Sequence, residues 1–244
     1  MRVAAIELPH RYGRPREALD AIDRALGSLG AGVDLALLPE TCVTGYVSPR
    51  GDFDLTRFAE PLEGETSRAL AALAQKHRVA LAGPLIELDR GRRFNALVLF
   101  DRDGARVGHW RKRHPWVPER WATPGDLGTT VIELAGARVT ACVCFDIHFI
   151  SDDASGALDA ADVMLFPSAW VDESDGDLRD EILPELARRH RVWIVNANWG
   201  DGVPALYGQG RSRIVAPDGR VVAVTDDGYG ARHVVWDVGA VASR

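Results

Sequence analysis

Short runs of apolar residues alternate with amphipathic stretches along the whole chain. Arg2 to Leu8 predicts a strand, and apolar residues then recur at helical spacing from Leu19 to Leu29. A second helix is predicted from Thr66 to His77, and a third reaches His190 with Pro184 in its first turn. Further apolar runs predict buried strands at 35–38, 79–86, 96–100, 138–143, 163–166 and 192–197. This alternation is typical of an α/β fold.

Tight turns link some of the predicted strands directly. Asp101-Arg102-Asp103-Gly104 leads into a strand from Arg106 to Trp110, and Pro217-Asp218-Gly219 separates two further apolar runs. Such links make neighbouring strands antiparallel, so the sheet is not purely parallel. No linker, composition break or long repeat divides the chain. We therefore predict one α/β domain over 1–244, built on a mixed sheet or on two sheets packed together.

Composition and charge narrow the possible partners and location. Of 244 residues, 46% are hydrophobic and 26% charged, as in ordinary globular proteins. The net charge of -6 argues against a bulk affinity for nucleic acid or anionic membranes, and no apolar run reaches the length of a membrane span. Polar residues come too early at the N-terminus for a secretory signal, and three cysteines cannot form a complete disulfide framework. We expect a cytoplasmic protein.

Three reactive side chains follow predicted strands, where α/β folds place their sites. Glu40 comes after Leu37-Leu38-Pro39, Lys112 lies in a short basic segment, and Cys144 ends an apolar run. Each has an ordinary interpretation when taken alone, as an exposed glutamate, a solvated basic patch and a buried small side chain. Cys142 and Cys144 share a face of the predicted strand, but Cys144 lies at its exit and is the stronger candidate.

Two other arrangements use the cysteine segment. Cys142, Cys144 and His148 could form a zinc site, although this spacing lacks the usual second ligand pair. Cys144 and His148 could also form a thiol–imidazole pair. Neither arrangement uses Glu40 or Lys112.

Taken together, these segments resemble the nitrilase superfamily of carbon–nitrogen hydrolases over nearly the whole chain. Leu37-Leu38-Pro39-Glu40 with Thr44-Gly45-Tyr46 is similar to the glutamate motif of that family. Arg111-Lys112, Glu119 and Thr123-Pro124-Gly125-Asp126 resemble its lysine motif and second glutamate, and Cys144-Phe145-Asp146 resembles its cysteine motif. Ancillary matches are Phe94-Asn95-Ala96, Asp103-Gly104, Pro167-Ser168-Ala169-Trp170, Gly208-Gln209-Gly210-Arg211-Ser212 and Pro217-Asp218-Gly219. The order and spacing of the motifs are more specific than any one of them.

The resemblance implies a fold, an assembly and a reaction. The fold would be a four-layer α-β-β-α sandwich with two mixed sheets, and two subunits would pair into an eight-layer homodimer or assemble further. The reaction would be hydrolysis of a non-peptide C–N bond in a small amide through a thioester at Cys144. Glu40 would act as general base, and Lys112 with the backbone N–H of Phe145 would stabilise the oxyanion. No metal or organic cofactor is required.

Several finer points depend on the same resemblance. Glu119 either orients Lys112 or the substrate, or forms a surface ion pair. Tyr46 and His148 are expected to bind substrate, and Trp170 either lines the pocket or packs in the core. His148 stands where many relatives have arginine, so it could neutralise a substrate carboxylate only when protonated.

The Cys-Phe-Asp context favours the amidase-like branch over true nitrilases. Nitrile hydrolysis, acyl transfer from the same thioester and a non-catalytic binding protein of the same fold are the alternatives. The acyl specificity is expected to depend on loops at 45–53 and 168–177.

Overall fold

Two mixed β-sheets packed face to face form the centre of the molecule. The computed structural model describes residues 1–170, 177–205, 210–226, 228 and 230–239, and this part of the chain contains thirteen strands and four α-helices. The helices are α1 (Pro15–Gly27), α2 (Glu65–His77), α3 (Ile150–Ala160) and α4 (Arg179–His190). The strands are β1 (Arg2–Arg11), β2 (Leu35–Leu37), β3 (Ala80–Asp89), β4 (Arg92–Phe100), β5 (Arg106–Arg111), β6 (Ile132–Leu134), β7 (Ala137–Ala141), β8 (Val163–Pro167), β9 (Trp193–Ala197), β10 (Trp199–Val203), β11 (Arg213–Val215), β12 (Val221–Val224) and β13 (Arg232–Asp237).

The first sheet has the strand order β10–β1–β2–β3–β4–β5, with β13 also beside β1. Strands β1, β2 and β3 are parallel, whereas β4 and β5 follow as antiparallel neighbours through a turn at Arg90-Gly91 and the predicted turn at 101–104. On its other edge, β1 pairs with β13 along 2–7 and with β10 from Leu8 to Arg11. β1 is therefore a central strand.

The second sheet has the order β12–β11–β9–β8–β7–β6. Strands β7, β8 and β9 are parallel, β6 and β11 pair antiparallel with β7 and β9, and β12 pairs antiparallel with β11. The mixed character predicted from the turns is confirmed in both sheets.

Because side chains alternate along a strand, the two faces of each sheet pack against different layers. On β1, Val3 and Ala5 pack between the two sheets, whereas Ala4 and Ile6 pack in the cluster that contains buried residues of α1 and α2. A third cluster packs the second sheet against α3 and α4. The α-β-β-α sandwich is confirmed.

A buried carboxylate ties β1 to the end of the chain. Glu7 is fully buried and accepts hydrogen bonds from the backbone and hydroxyl of Ser212, from Thr225 and from Arg232. These contacts satisfy a charge that would otherwise be costly to bury.

Some elements differ from the prediction. Pro184 lies in the interior of α4 instead of its first turn, because the helix begins five residues earlier at Arg179. β7 ends at Ala141, so Cys142 and Cys144 do not share a strand face as predicted, and they pack in different clusters. α3 and β10 were not predicted. None of the described helices is both long and apolar enough to cross a membrane. The single domain over 1–244 stays a prediction.

Candidate active site

Glu40 lies just beyond the end of β2 and is completely buried. Two hydrogen bonds fix the Glu40 backbone. Its N–H donates to the carbonyl of Ser168, which follows β8 of the second sheet, at 3.3 Å, and the indole of Trp199 on β10 donates to its carbonyl at 2.8 Å. Its carboxylate accepts the backbone N–H of Ala169 at 3.0 Å. Segments from both sheets therefore fix the position of this carboxylate.

Lys112 follows the last residue of β5 and is also completely buried. Its backbone N–H donates to the Asn95 carbonyl, and its carbonyl accepts the N–H of Gly125, both at 2.8 Å. A side chain at Gly125 would lie 2.4 Å from the Arg111 carbonyl, so only glycine allows this approach. The Lys112 ammonium lies 2.8 Å from a carboxylate oxygen of Glu40 and 2.8 Å from one of Glu119.

Glu119 is 2% exposed, so the interpretation as a surface ion pair is wrong. Besides Lys112, its carboxylate accepts the backbone N–H of Trp116 at 2.8 Å. The Asn95 amide donates to Glu40 at 2.7 Å and to Glu119 at 3.1 Å, so one side chain bridges the two carboxylates. Two carboxylates can share this buried space because an ammonium and an amide lie between them.

Cys144 lies at the start of a short 3₁₀ turn, residues Cys144–His148, that follows β7. Its φ of 47° is in the left-handed region, which is uncommon for a residue with a side chain. The thiol is 4.0 Å from the Ala169 carbonyl and interacts with the Glu40 carboxylate. The next residue, Phe145, is in the first turn, where backbone N–H groups have no acceptor within the helix.

Burial and mutual charge shift the pKa values of this cluster. Burial raises the pKa of Glu40, and Lys112 opposes the rise. Burial also raises the pKa of the Cys144 thiol well above its ordinary value, with a further contribution from the charge of Glu40. For Lys112, burial favours a lower pKa, but the carboxylates of Glu119 and Glu40 raise it well above its ordinary value. The resting cluster therefore contains an ammonium, a thiol and a carboxylate placed to accept a proton.

Asp146 connects the cysteine turn to the lysine segment. Its buried carboxylate accepts the backbone N–H groups of Arg113 at 3.1 Å and His114 at 2.7 Å, directly after Lys112. Burial raises the pKa of Asp146 to about 6, and the hydrogen bond from His114 opposes that rise. The relative position of Cys144 and Lys112 depends on this link.

Cys144 opens onto a cavity of about 120 Å³. Aromatic rings form much of its lining, and its residues are Tyr46, Trp116, Cys144, Phe145, His148, Ala169, Trp170 and Leu178. Tyr46 stacks on Trp116 at 6.5 Å between ring centroids, and burial together with the nearby Glu119 carboxylate raises the pKa of the Tyr46 hydroxyl. The cavity is thus continuous with the charged cluster.

The structure brings together all eight residues singled out by the sequence. Glu40, Lys112, Glu119 and Cys144 form the buried cluster, whereas Tyr46, Phe145, His148 and Trp170 line the cavity beside it. Part of the 168–177 loop, and Gly208-Gln209 of one ancillary motif, lie outside the described residues.

Sequence reasoning missed Asn95, Asp146, Trp116 and Trp199 as parts of the site. Asn95 and Asp146 were identified only as members of family motifs, without a role. The available signal for Asn95 was its position as a polar residue inside the apolar strand β4.

The two rival arrangements of the cysteine segment receive no support. Cys142 packs with the helical layer beside Ile147 and Phe166. Within the described ranges, no three His, Cys, Asp or Glu side chains are grouped as metal ligands. The ionisable groups that contribute most to the pKa of Cys144 are Glu40, Lys112 and Glu119.

Known proteins share both the sequence and the fold. The family model for carbon–nitrogen hydrolases matches residues 2–229. The chain is 31% identical over 239 residues to an (R)-stereoselective amidase of a Pseudomonas species, covering 96% of this chain and 84% of that protein. It is 28% identical over 198 residues to a nitrilase of Pyrococcus abyssi, covering 80% and 73% of the two chains.

Solved structures of known proteins also resemble this chain. A mutant of the Nesterenkonia AN1 amidase from the nitrilase superfamily superposes with a TM-score of 0.84 at 24% identity, covering 98% of this chain and 92% of that chain. A protein of the same superfamily from Xanthomonas campestris gives a TM-score of 0.81 at 19% identity, covering 97% and 90%. At these identities the structural likeness establishes the fold, and the family follows from the sequence matches. The chain belongs to the carbon–nitrogen hydrolase family, within the amidase-like part of the nitrilase superfamily.

Proposed function

We propose that this protein hydrolyses the C–N bond of a small amide through a thioester formed on Cys144. The observation that carries the proposal is the single buried cluster of Glu40, Lys112, Glu119 and Cys144 beside an open cavity. A thiol with a raised pKa needs a base to become a nucleophile, and the Glu40 carboxylate interacts with this thiol.

In the first half of the reaction, the Cys144 sulfur attacks the amide carbonyl carbon while its proton passes to Glu40. The carbonyl oxygen becomes an oxyanion. Lys112 uses two N–H groups on the glutamates, and its third N–H is directed to the oxyanion together with the backbone N–H of Phe145. Collapse of this intermediate breaks the C–N bond, and Glu40 returns the proton to the leaving nitrogen.

In the second half, water attacks the thioester carbonyl and gives its proton to Glu40. The C–S bond breaks, the proton returns to the sulfur, and the carboxylic acid leaves. Glu119 and Asn95 do not exchange protons in this scheme. They position Lys112 and Glu40 through the hydrogen bonds described above.

Comparison with a relative supports a cysteine nucleophile. In a solved structure of a mutant of the Nesterenkonia amidase, acrylamide has added to the active-site cysteine of that protein. The amidase similarity also favours amides over nitriles as substrates of this chain.

The test replaces Cys144 with alanine and measures ammonia release from a panel of small aliphatic and aromatic amides. We expect a loss of about 10⁴-fold or more, since removal of a nucleophile has effects of this size elsewhere. Cys142→Ala is the matched control, because it removes a second buried thiol outside the cavity and should retain activity. Circular dichroism would establish that both variants fold.

Activity near the wild-type level in folded Cys144→Ala would refute the proposal. Acid and ammonia released in equal amounts would support hydrolysis over acyl transfer, and butyronitrile compared with butyramide would test the amide preference. If Cys144 did not react with iodoacetamide, the alternative of a non-catalytic binding protein would be favoured.

A further inference from the structure

The cavity beside Cys144 is small and its walls are largely hydrocarbon. Its volume is about 120 Å³, and Tyr46, Trp116, Phe145 and Trp170 supply aromatic rings to it. An apolar cavity of about 150 Å³ can take a benzene ring, so this one suits an acyl group of about six carbons or fewer. Transfer of such a group from water into the cavity is favourable because apolar surface is buried.

Several basic side chains in the described part of the chain around the cavity lie against carboxylates. Lys112 lies between Glu40 and Glu119, and these three groups together carry a net negative charge when ionised. His114 is 2.6 Å from Asp153, and Arg113 is 3.6 Å from the same carboxylate.

The guanidinium of Arg179, 5.7 Å from the Trp170 ring, is bound by Asp177. The segments 171–176 and 206–209 contain no Lys, Arg or His in their sequence. Neither segment can therefore add a positive charge to the cavity.

His148 is the one basic side chain among the residues described as lining the cavity. Its ring centroid lies 5.2 Å from that of Phe145 and 5.9 Å from that of Trp170. His148 is exposed at its outer surface, but partial desolvation of the side chain lowers the pKa of His148 below its ordinary value, so the charged form is the minor one at neutral pH. The ring thus contributes a neutral aromatic wall to the cavity.

We propose that the cavity accepts acyl groups that are small, apolar and uncharged, and that it discriminates against amides bearing a carboxylate because the side chain at position 148 supplies no permanent cation. This inference rests on the proposed amidase function and names its substrate class. A carboxylate that entered the cavity would lose its hydration without gaining a cation, and it would face the net negative cluster. An alkyl or aryl group of the same size has no such penalty.

The test compares two amides of nearly the same shape, 4-methylpentanamide and succinamate. The first has an isopropyl group at the position where the second has a carboxylate. We expect kcat/KM of the wild-type protein to be at least about 100-fold higher for 4-methylpentanamide, since a buried unpaired charge is rejected strongly. His148→Arg adds a fixed cation and should reduce this ratio at least tenfold.

Two control variants separate charge from other effects of substitution. His148→Gln removes the ring without adding charge and should keep the ratio within about threefold of the wild-type ratio. His233→Arg places the same new cation on β13, outside the cavity lining, and should leave the ratio unchanged. A ratio below about threefold in the wild type, or a His148→Arg ratio equal to that of the wild type, would overturn the proposal.

A binding measurement separates this inference from the amidase proposal. Folded Cys144→Ala protein is titrated calorimetrically with each amide, and we expect 4-methylpentanamide to bind at least about tenfold more tightly than succinamate. If wild type hydrolyses neither amide but the binding preference is present, the amidase proposal fails and the cavity inference stands. Equal affinities, a preference for succinamate or no binding of 4-methylpentanamide would overturn the inference.

Discussion

Cys144 combines a buried thiol with a left-handed backbone conformation at the end of β7. Such a conformation costs about 1–3 kcal/mol for a residue with a side chain, and it persists only where the surrounding structure enforces it. Here it ends the strand alternation and directs the thiol to the cavity, while Cys142 points into the helical layer. The period of two along a strand could not distinguish these cysteines, because the strand ends before both.

The Asn95 side chain offers a direct test of how the two carboxylates are held. Asn95→Leu keeps a similar shape but removes the amide that bonds Glu40 and Glu119. We expect kcat to fall by about 10–100-fold, the effect of losing a hydrogen bond to a charged group. KM should change less than about threefold, since Asn95 does not line the cavity.

The pH profile of Asn95→Leu distinguishes positioning from a general loss of stability. Loss of a donor to the ionised form of Glu40 raises its pKa further, so the acid limb of kcat/KM should move to higher pH. Asn95→Asp, which adds a third carboxylate, should move the limb further in the same direction. An unchanged limb in folded variants would show that Asn95 has no part in the protonation of Glu40.

At the residue scale, the sequence located the charged cluster better than the side chains that support it. Glu40, Lys112 and Cys144 each follow a strand, which is a local signal, and the family motifs added Glu119. Asn95 lies inside β4, and its importance depends on contacts with residues 55 and 24 positions away. Local pattern contains no information about such distances.

At the element scale, Asp146 joins the cysteine turn to the segment after β5 and is sensitive to pH. Its pKa of about 6 in the folded protein lies above the value of 3.8 for an exposed aspartate. The folded state thus holds this proton more tightly than the unfolded state, so the contribution to stability is complete below pH 3.8 and is lost as pH rises to about 6.

We predict that Asp146→Asn removes this dependence on pH. The free energy of unfolding of the wild type, measured relative to that of the variant, should fall by about 3 kcal/mol at most between pH 4 and pH 7. Urea denaturation of both proteins at several pH values in this range provides the measurement. A difference that stays constant with pH would mean that Asp146 has no raised pKa in the folded protein.

The elements that sequence pattern placed wrongly depend on distant partners. α4 begins at Arg179, where Asp177 binds both Arg179 and Arg213, which is on β11 of the second sheet. From the sequence alone, Pro184 was the strongest start signal, because proline is favoured in a first turn. The ion pairs that Asp177 forms at the observed start of α4 cannot be recognised from the neighbouring sequence.

At the scale of the whole molecule, we predict at least a homodimer. The resemblance to the nitrilase superfamily implies two sandwiches that pair into eight layers. Light scattering should therefore give at least twice the chain mass of 26.6 kDa at micromolar concentration. A monomer across that concentration range would contradict the prediction.

The number of sheets could not be derived from strand patterns alone. Apolar runs predicted most strands, but the choice between one sheet and two depends on which strands pair, and β1 pairs with β13 from the far end of the described chain. The family resemblance supplied the four-layer architecture that the local pattern left open.

The pairing of β1 along both of its edges also has a consequence for biosynthesis. On the ribosome, β1 emerges early and can pair with β2, but one of its edges must wait for β10 and β13. The hydrogen-bond donors of Glu7, which are Ser212, Thr225 and Arg232, are likewise synthesised much later than Glu7 itself. Until those later strands have been synthesised, the nascent chain exposes an unpaired strand edge and an unpaired carboxylate. The first sheet closes only after its last strand has left the exit tunnel, so the speed of elongation sets how long that edge is open to other chains.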